Sequence, residues 1–314
     1  MKTKKLLQII IFSYNRALQL DALLSSIKKN WKNTEYHIDI IYNSSDSTYQ
    51  SGYDLLKQKT FDSEKKISFY KEQFIRFPQW TIKELTDIYN LKLLYLCPFL
   101  RHAKTTFRKQ LLNVLKESKA EHVMFLTDDS IFIKLVQLSS KDLSWINEDP
   151  FHNQISMRHG IETLGNKNLN YIDEQYNWDF SHYSSNDHWG YRFSLDAHIY
   201  HREAMLKTLS SISFSNPNTL ESSGMLYTNK KGLFNKGRCF KYMSILSFPI
   251  NIVQTTFKNE SLRVSTDILN KYFLKGYRLE YPEIKRFNTF QIYPDEVFIT
   301  KEAERKITFK TKES

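Results

Sequence analysis

The sequence predicts an α/β fold with a mostly parallel central sheet flanked by helices. The first observation is a short apolar run, Leu6–Phe12, which suits a strand buried on both faces. The second is a set of apolar residues that recur at helical spacing from Leu18 to Ile27, and the third is another apolar run at Ile38–Tyr42. Strand, helix and strand in this order form the repeating unit of a parallel sheet.

The next part of the chain continues this alternation less regularly. We expect a short helix at Tyr53–Lys57, a third strand at Ile67–Tyr70 and, from its mixed apolar spacing, a helix within Ile82–Leu96. Apolar residues then mark one face of a helix that begins near Ala103, and His122–Leu126 has the composition of another buried strand. These elements would extend the same parallel sheet.

The second half of the chain gives fewer regular signals. Its polar and aromatic middle, residues 150–200, predicts loops and short strands, and Asn216-Pro217-Asn218 predicts a turn. The charge-alternating tail from Lys301 onward is expected to be mobile. We expect a strand at Ala197–Tyr200 and helices at Arg202–Leu209 and Thr266–Leu274. Ile245–Val253 is a further apolar segment.

The composition is that of a globular protein and excludes several classes. A chain of 314 residues is long enough for one large α/β unit or about two domains. Its 41% hydrophobic and 25% charged residues exclude a disordered chain, and two cysteines exclude a disulfide framework or a multi-cysteine zinc module. The formal net charge of +11 favours anionic partners such as nucleic acid, phosphorylated small molecules or an anionic membrane surface.

Common cofactor motifs are absent from the sequence. It contains neither a G-x-G-x-x-G dinucleotide fingerprint nor an H-E-x-x-H zinc motif. The segment Gly232–Gly237 approaches a P-loop but lacks the Lys and the Ser/Thr that would contact phosphate and magnesium. Any catalytic or binding site must therefore be formed by residues outside these motifs.

The strongest local signal is the acidic end of a buried strand. Asp128 and Asp129 follow His122–Leu126 and Thr127 directly. Ligands of open α/β sheets bind at the carboxyl ends of the strands, and Mg²⁺ and Mn²⁺ prefer oxygen ligands. An acidic pair at this position suits a metal–diphosphate site, although Asp and Ser are also common in ordinary turns.

The order of several segments resembles the GT-A glycosyltransferases, particularly the inverting family 2 type of bacteria. Ile9–Arg16 is similar to the first strand and T-Y-N-R segment of that family, and Asn43–Asp46 to its acidic second-strand end, with Asn43 where an acid is usual. The basic Lys104–Arg108 segment precedes the acidic pair as a basic helix does in the family. Downstream, Ile199–Leu206 resembles the acceptor-side segment, and Asn216–Glu221 the region of the catalytic acid.

The resemblance implies a donor site and a metal ligand. In the frame Thr127-Asp128-Asp129, Asp129 would bind Mn²⁺ or Mg²⁺ and offset the charge of the leaving diphosphate. Asp128 would face the ribose or serve as a second ligand, and Ser130 would be incidental. The expected donor-binding residues are Ser13, Tyr14, Asn15, Arg16, Asp46, Lys104, Arg108 and Asp128.

A carboxylate on the acceptor side must take the proton of the attacking hydroxyl. Glu221 and Asp196 are the two candidates, and Glu221 is slightly preferred because Asn216-Pro217 favours a loop at the position of the family's acid. Trp189 and Tyr191 are expected to contact the acceptor, since aromatic rings offer an apolar face to a sugar, although a buried structural role fits them equally.

The resemblance covers about residues 6–280 and sets the expected domains. A single GT-A catalytic domain would span 1–285, with a nucleotide-sugar half at about 1–130 and an acceptor half at 131–285. Residues 286–314 would form a C-terminal extension.

The sequence thus predicts a metal-dependent glycosyltransferase that uses a nucleotide-sugar donor. The expected acceptor is a glycan or a lipid-linked glycan in bacterial surface polysaccharide synthesis, with inversion at the sugar. The expected location is the cytoplasm, and basic residues allow peripheral contact with an anionic membrane.

Two alternatives remain. A sugar-nucleotide pyrophosphorylase would show a Gly-rich basic loop after the first strand, and a nucleic-acid-binding protein would concentrate its basic residues on one element. Because neither feature is present, nucleic acid is not an expected partner.

Overall fold

A nine-stranded sheet forms the centre of the computed structural model, which describes residues 7–32, 34–61, 66–73, 105–136, 138–165, 169–185, 187–253, 261–281, 291–292, 296–301 and 306–310. Its strands are β1 Leu7–Tyr14, β2 Tyr36–Asn43, β3 Ile67–Lys71, β4 His122–Thr127, β6 Asn153–Ser156, β7 Asn170–Ile172, β8 Gln175–Asp179, β9 His198–His201 and β10 Lys236–Phe240.

The strands of this sheet lie in the order β3-β2-β1-β4-β9-β6-β10-β8-β7. The first four are mutually parallel, β9 is antiparallel to both of its neighbours, and β10 is parallel to β6. At the far edge, β8 is antiparallel to β10 and to β7. Among the described strands of this sheet, all but β8 and β9 therefore run in the same direction.

Helices flank both faces of the sheet. Their bounds are α1 Ala17–Asn30, α2 Ser47–Phe61, α3 Phe107–Glu117, α4 Ser140–Glu148, α5 Arg202–Ser210, α6 Pro217–Lys231 and α7 Thr266–Leu274. Two short 3₁₀ turns lie at Phe180–His182 and His188–Gly190. Within the described residues, no helix combines the length and the apolar character needed to cross a membrane.

Alternation along β1 explains why the sheet is buried on both sides. Ile9 and Ile11 belong to a core shared with α1, α2 and α7, whereas Ile10 and Phe12 belong to a core shared with α3, α5 and α6. Successive side chains of a strand point to opposite faces, so an unbroken apolar run fills both cores. The predicted α/β class, with a mostly parallel sheet flanked by helices, is confirmed.

Two small sheets complete the fold. One pairs β5 Ser130–Phe132 with β11 Ile245–Ser247, and the other contains β12 Arg278–Glu280, β13 Glu296–Thr300 and β14 Ile307–Lys310. The expected boundary at residue 285 lies outside the described residues, and the three-stranded sheet joins strands from either side of it. The tail after Lys301, expected to be mobile, contributes β14 to this sheet.

Several expected elements differ in extent from those observed. The helix expected at Tyr53–Lys57 is part of the longer helix α2, which spans Ser47–Phe61. The apolar segment Ile245–Val253 forms a strand only in its first three residues. The helix expected within Ile82–Leu96 and the helix start expected near Ala103 lie outside the described residues.

The turn expected at Asn216-Pro217-Asn218 is instead the start of α6. The Asn216 side chain accepts a hydrogen bond from the backbone N–H of Thr219 across 2.9 Å, and the Thr219 hydroxyl accepts one from the backbone N–H of Asn216 across 3.0 Å. Proline is favoured at the first position of a helix because it has no N–H to satisfy there. This expectation was wrong because turns and helix N-caps favour the same residues.

Candidate active site

The candidate site lies where the parallel strands β1 and β4 end. Phe12 on β1 is in register with Thr127 on β4, so the segments that follow both strands leave the sheet at one edge. Asn15 turns the chain with a φ of 57°, a left-handed conformation that Asn tolerates better than most residues. This geometry brings Tyr14, Asn15 and Arg16 next to the two acidic residues that follow β4.

Asp128 points into the protein rather than toward a ligand. One carboxylate oxygen accepts hydrogen bonds from Ser13 Oγ at 2.8 Å and the backbone N–H of Tyr14 at 3.2 Å, and the other accepts from Arg16 Nη1 at 3.0 Å. Burial raises the pKa of Asp128 to about 6, while the Arg16 guanidinium opposes this rise. Protein donors thus engage both oxygens of Asp128, and its expected ribose contact stays a prediction.

Asp129 is the more accessible member of the acidic pair. Its side chain is 19% exposed, Oδ1 accepts a hydrogen bond from Thr127 Oγ1 at 2.9 Å, and Oδ2 lies 3.4 Å from Arg16 Nη1. The Asp129 carboxylate thus has fewer protein donors than the Asp128 carboxylate. Arg16, expected to bind the donor, is instead nearly buried between the two carboxylates.

A second carboxylate meets Asp129 through Thr127. The Thr127 hydroxyl lies 3.0 Å from Asp196 Oδ1, and Arg158 Nη1 donates to Asp196 Oδ2 at 3.0 Å. The next residue, Ala197, has a φ of 59°, a strained conformation for a residue with a β-carbon, and such strain is often found at functional sites. Burial raises the pKa of Asp196; the Arg158 charge opposes the rise and the nearby Asp129 carboxylate adds to it.

Glu221 lies one step behind Asp196. It is on the second turn of α6 rather than in the expected loop, and its Oε1 accepts a hydrogen bond from the backbone N–H of Leu195 at 3.1 Å. The Tyr191 hydroxyl also donates to Glu221. Burial, with a contribution from Asp196, raises the pKa of Glu221 to about 7. The structure therefore brings both acid candidates to one cluster, with Glu221 holding the segment that carries Asp196.

Asn15 connects this cluster to the end of β2. Its side chain donates to Ser45 Oγ at 3.0 Å and accepts from the backbone N–H of Ser45 at 2.9 Å. Ser45 Oγ in turn donates to Asp46 Oδ2 at 3.0 Å, while Asp46 Oδ1 accepts from the first-turn amides of α2. These hydrogen bonds, led by that from the backbone N–H of Tyr49, lower the pKa of Asp46. Asn15, Asp46 and Asp129 thus gather at one edge of the sheet.

Two other expected donor residues are not in this group. Lys104 lies outside the described residues. Arg108 donates to the backbone carbonyls of Ile212 and Ser210, and its guanidinium lies over the ring of Phe214. These contacts join the start of α3 to the segment that follows α5, so the expected donor contact of Arg108 stays a prediction without support from them.

Trp189 is a core residue rather than an open acceptor platform. It is completely buried, its ring contacts Trp178 and His159, and its indole N–H donates to the backbone carbonyl of Leu164 at 3.1 Å. The expectation that Trp189 stacks on a sugar needs correction, because apolar neighbours cover its faces. Tyr191 is half-buried, and its hydroxyl is engaged by Glu221.

A buried polar network underlies the segments that carry Arg158 and Asp196. Ser156 Oγ lies 2.7 Å from His159 Nδ1 and 3.0 Å from His198 Nε2, and His198 Nδ1 lies 2.7 Å from Gln154 Oε1. Burial lowers the pKa of His159 to about 3 and that of His198 as well, so both rings are neutral. The network joins the ends of β6 and β9 and thereby fixes where Arg158 meets Asp196.

Sequence reasoning missed four residues of this region, namely Thr127 as a bridge, Arg158, Asn251 and Tyr281. Arg158 follows the buried strand β6 as Asp128 follows β4, and that position at a strand end was a usable signal. Asn251 is a polar residue in the apolar segment 245–253, which was a weaker one.

Of the acidic pair, Asp129 suits a divalent cation better than Asp128, because its side chain is more exposed and has two protein donors where Asp128 has three. Hard cations take carboxylate oxygens, and Asp129 and Asp196 bring two partly exposed carboxylates to one hydroxyl. Their mutual repulsion contributes to the raised pKa of Asp196, and a cation would relieve it. The oxygens of Asp128 are already engaged by Ser13, Tyr14 and Arg16.

Comparison with known proteins gives similarity at the level of solved structures. The chain is similar to Staphylococcus aureus TarS residues 1–349, with a TM-score of 0.43 and 16% identity over 76% of this chain and 59% of that one. The complex of the same protein with UDP gives 0.43 and 18% over the same shares, and the complex with UDP-GlcNAc gives 0.39 and 13% over 76% and 57%. The chain thus spans less than two thirds of those structures. No family model and no curated protein matches the sequence.

Proposed function

We propose that this protein is a glycosyltransferase that moves a sugar from a nucleotide-sugar donor to a hydroxyl group of a glycan or lipid-linked acceptor. The observation that carries the proposal is the Thr127 hydroxyl, which lies within 3.0 Å of both the Asp129 and the Asp196 carboxylates at the carboxyl edge of the sheet. One carboxylate suits the leaving-group side of such a reaction and the other suits the side of the attacking hydroxyl.

Asp196 is the proposed general base, in preference to Glu221. Arg158 donates to its carboxylate and the Thr127 hydroxyl lies 3.0 Å from it, so two protein groups orient this carboxylate beside Asp129. A pKa of about 7 leaves Glu221 protonated about half of the time near neutral pH. Glu221 reaches this group through the backbone of Leu195, whereas Asp196 shares the Thr127 hydroxyl with Asp129. Its proposed role is to position the segment that carries the base.

Asp129 is the proposed metal ligand. Bound Mn²⁺ or Mg²⁺ would supply Lewis-acid stabilisation of the diphosphate leaving group. The chain's own contribution is to hold the Asp129 carboxylate in place through Thr127 and Arg16. Asp128 fixes Arg16 from the other side and so acts as a positioning residue.

The proposed nucleotide position lies over the ends of β1 and β2. The Tyr14 side chain is 40% exposed there, and Asn15 and Asp46 are joined by Ser45. The proposal includes direct attack with inversion, in which the base takes the proton of the acceptor hydroxyl on the face of the sugar opposite the leaving diphosphate. A basic chain with a net charge of +11 suits an acceptor at an anionic membrane surface, as in bacterial surface polysaccharide synthesis.

A donor-hydrolysis screen tests this proposal. UDP-, GDP-, dTDP- and CMP-sugars are incubated with the protein and Mn²⁺ or Mg²⁺, with Asp129→Asn as the control variant. Turnover of one donor by the natural protein and not by the variant is the expected result. Formation of nucleoside triphosphate from a sugar nucleotide and pyrophosphate would instead identify a pyrophosphorylase, and absence of both reactions would overturn the proposal.

A further inference from the structure

Two buried hydrogen-bond donors beside Arg16 have no acceptor within the described part of the chain. They are the side-chain amide nitrogen of Asn251 and the hydroxyl of Tyr281. Asn251 is only 5% exposed. Native proteins leave few buried polar groups unsatisfied, and those that remain call for a specific explanation.

The orientation of the Asn251 amide is fixed by its oxygen. Oδ1 accepts from Arg16 Nε at 2.7 Å and from Gln19 Nε2 at 3.3 Å, and the backbone carbonyl of Asn251 accepts from Arg16 Nη2. Reversing the amide would place its NH₂ group against these donors. Nδ2 is therefore a donor of fixed orientation that has no acceptor among the described residues.

Tyr281 lies beside the turn that carries Asp129. Its ring stacks on Phe248 with centroids 4.5 Å apart, and the backbone N–H of Phe248 donates to the carbonyl of Asp129 at 2.7 Å. Burial, with a further contribution from Asp129, raises the pKa of the Tyr281 hydroxyl, so this group keeps its proton and can donate.

The N-terminus of α1 also favours a ligand that accepts hydrogen bonds. This 14-residue helix begins after Arg16, and no side chain caps its N-terminus. The unpaired N–H groups of a first helical turn favour a negatively charged partner. Two donors without an acceptor among the described residues and an uncapped helix N-terminus point to a ligand rich in acceptor oxygens rather than one with mixed donors and acceptors.

We propose that Asn251 Nδ2 and Tyr281 Oη donate hydrogen bonds to the diphosphate of the bound nucleotide. This inference rests on the proposed function, since it assigns further binding residues to that site. A diphosphate offers only acceptors, whereas a ribose or a nucleobase also presents donors that would need acceptors in return. The position of Tyr281 beside the Asp129 turn agrees with this end of the donor.

Tyr281→Phe separates a ligand-binding role from a structural one. The substitution keeps the ring on Phe248 and removes a hydroxyl that has no partner in the described part of the chain, so the melting temperature of the ligand-free protein should stay the same or rise. Affinity for nucleoside diphosphate should fall about tenfold or more, as expected for a hydrogen bond to a charged group. Asn251→Asp, which keeps the oxygen facing Arg16 but replaces the donor by an acceptor, should weaken binding at least as much.

The measurement is calorimetric binding of UDP, GDP, dTDP and CDP with Mn²⁺, alongside the matching nucleosides. Tyr171→Phe, at an exposed tyrosine of β7, is the control and should change neither stability nor binding. Loss of diphosphate affinity with unchanged nucleoside affinity supports the inference. Equal loss for the nucleoside, or unchanged diphosphate affinity in both variants, overturns it while leaving the proposed function intact. Failure of the natural protein to bind any of the four diphosphates overturns both.

Discussion

The Arg158 guanidinium donates a hydrogen bond to the Asp196 carboxylate across 3.0 Å, although the two residues are 38 positions apart in sequence. Arg158 follows the buried strand β6 and Asp196 precedes the buried strand β9, and these two strands are neighbours in the sheet. The pair therefore forms only when the second half of the sheet is assembled. It places a partly exposed carboxylate next to Asp129 and sets the positive charge of Arg158 against it.

Asp196→Asn should lower the rate of donor turnover by about 10²–10⁴, the usual contribution of a positioned general base. Asn keeps the size of Asp but cannot take a proton from the attacking hydroxyl or water. The matched Glu221→Gln variant should lose about tenfold or less, because Gln can still accept from the backbone N–H of Leu195. Steady-state kinetics of both variants decide the assignment, and a larger loss in Glu221→Gln would move the base to Glu221.

Asp129→Asn should abolish the Mn²⁺-dependent turnover of the donor, because a neutral amide is a poorer ligand for a hard cation. The neighbouring Ser130→Ala should keep the metal response, since Ser130 is buried and its hydroxyl lies 3.3 Å from Thr127 Oγ1. Turnover is measured over a Mn²⁺ titration after treatment with EDTA. Full activity of the natural protein in excess EDTA would remove the metal from the mechanism.

Asp128→Asn should mainly reduce stability, by about 3 kcal/mol, because it removes a charged partner from a buried arginine. Ser13, Tyr14 and Arg16 all donate to this carboxylate, and an Asn side chain would offer one NH₂ group in place of an acceptor. Urea unfolding measures the loss, with Asp54→Asn on the exposed side of α2 as a control. A variant of natural stability with weakened nucleotide binding would restore the ribose contact that the sequence suggested.

The sequence predicts the first half of the fold better than the site, for a physical reason. β1, α1 and β2 follow from local apolar patterns, and their observed bounds agree with those patterns within three residues. The contacts of the site are not local: Arg16 meets Asn251 across 235 positions, and Arg158 meets Asp196 across 38. Residue type alone also could not separate Trp189 in a core from an exposed sugar platform, since tryptophan serves in both.

Thr127→Val should shift the acid limb of the pH–rate profile upward. The hydroxyl stabilises the charged form of Asp196, and its loss raises the pKa of that carboxylate. Thr127→Ser retains the hydroxyl and should leave the profile in place. An unshifted profile in Thr127→Val would show that the base does not depend on this bridge.

Glu221→Gln should stabilise the protein increasingly as the pH rises from 4.5 to 8. Burial raises the pKa of Glu221 to about 7 in the folded protein, against 4.5 as the ordinary value. Below pH 4.5 the carboxyl group is protonated in both states and costs nothing. Between pH 4.5 and 7 the unfolded chain loses this proton while the folded one keeps it, so the folded state binds more protons and its stability falls as the pH rises. Above pH 7 the penalty is complete, at about 3 kcal/mol from 1.36 kcal/mol per pKa unit, and Gln does not incur it. Urea unfolding at pH 4.5, 6 and 8 measures the difference between variant and natural protein, with Glu174→Gln in the exposed turn between β7 and β8 as the control. A difference that stays constant across this range would show that Glu221 is already ionised at pH 4.5 in the folded protein, and Glu221 would then regain its place beside Asp196 as a candidate base.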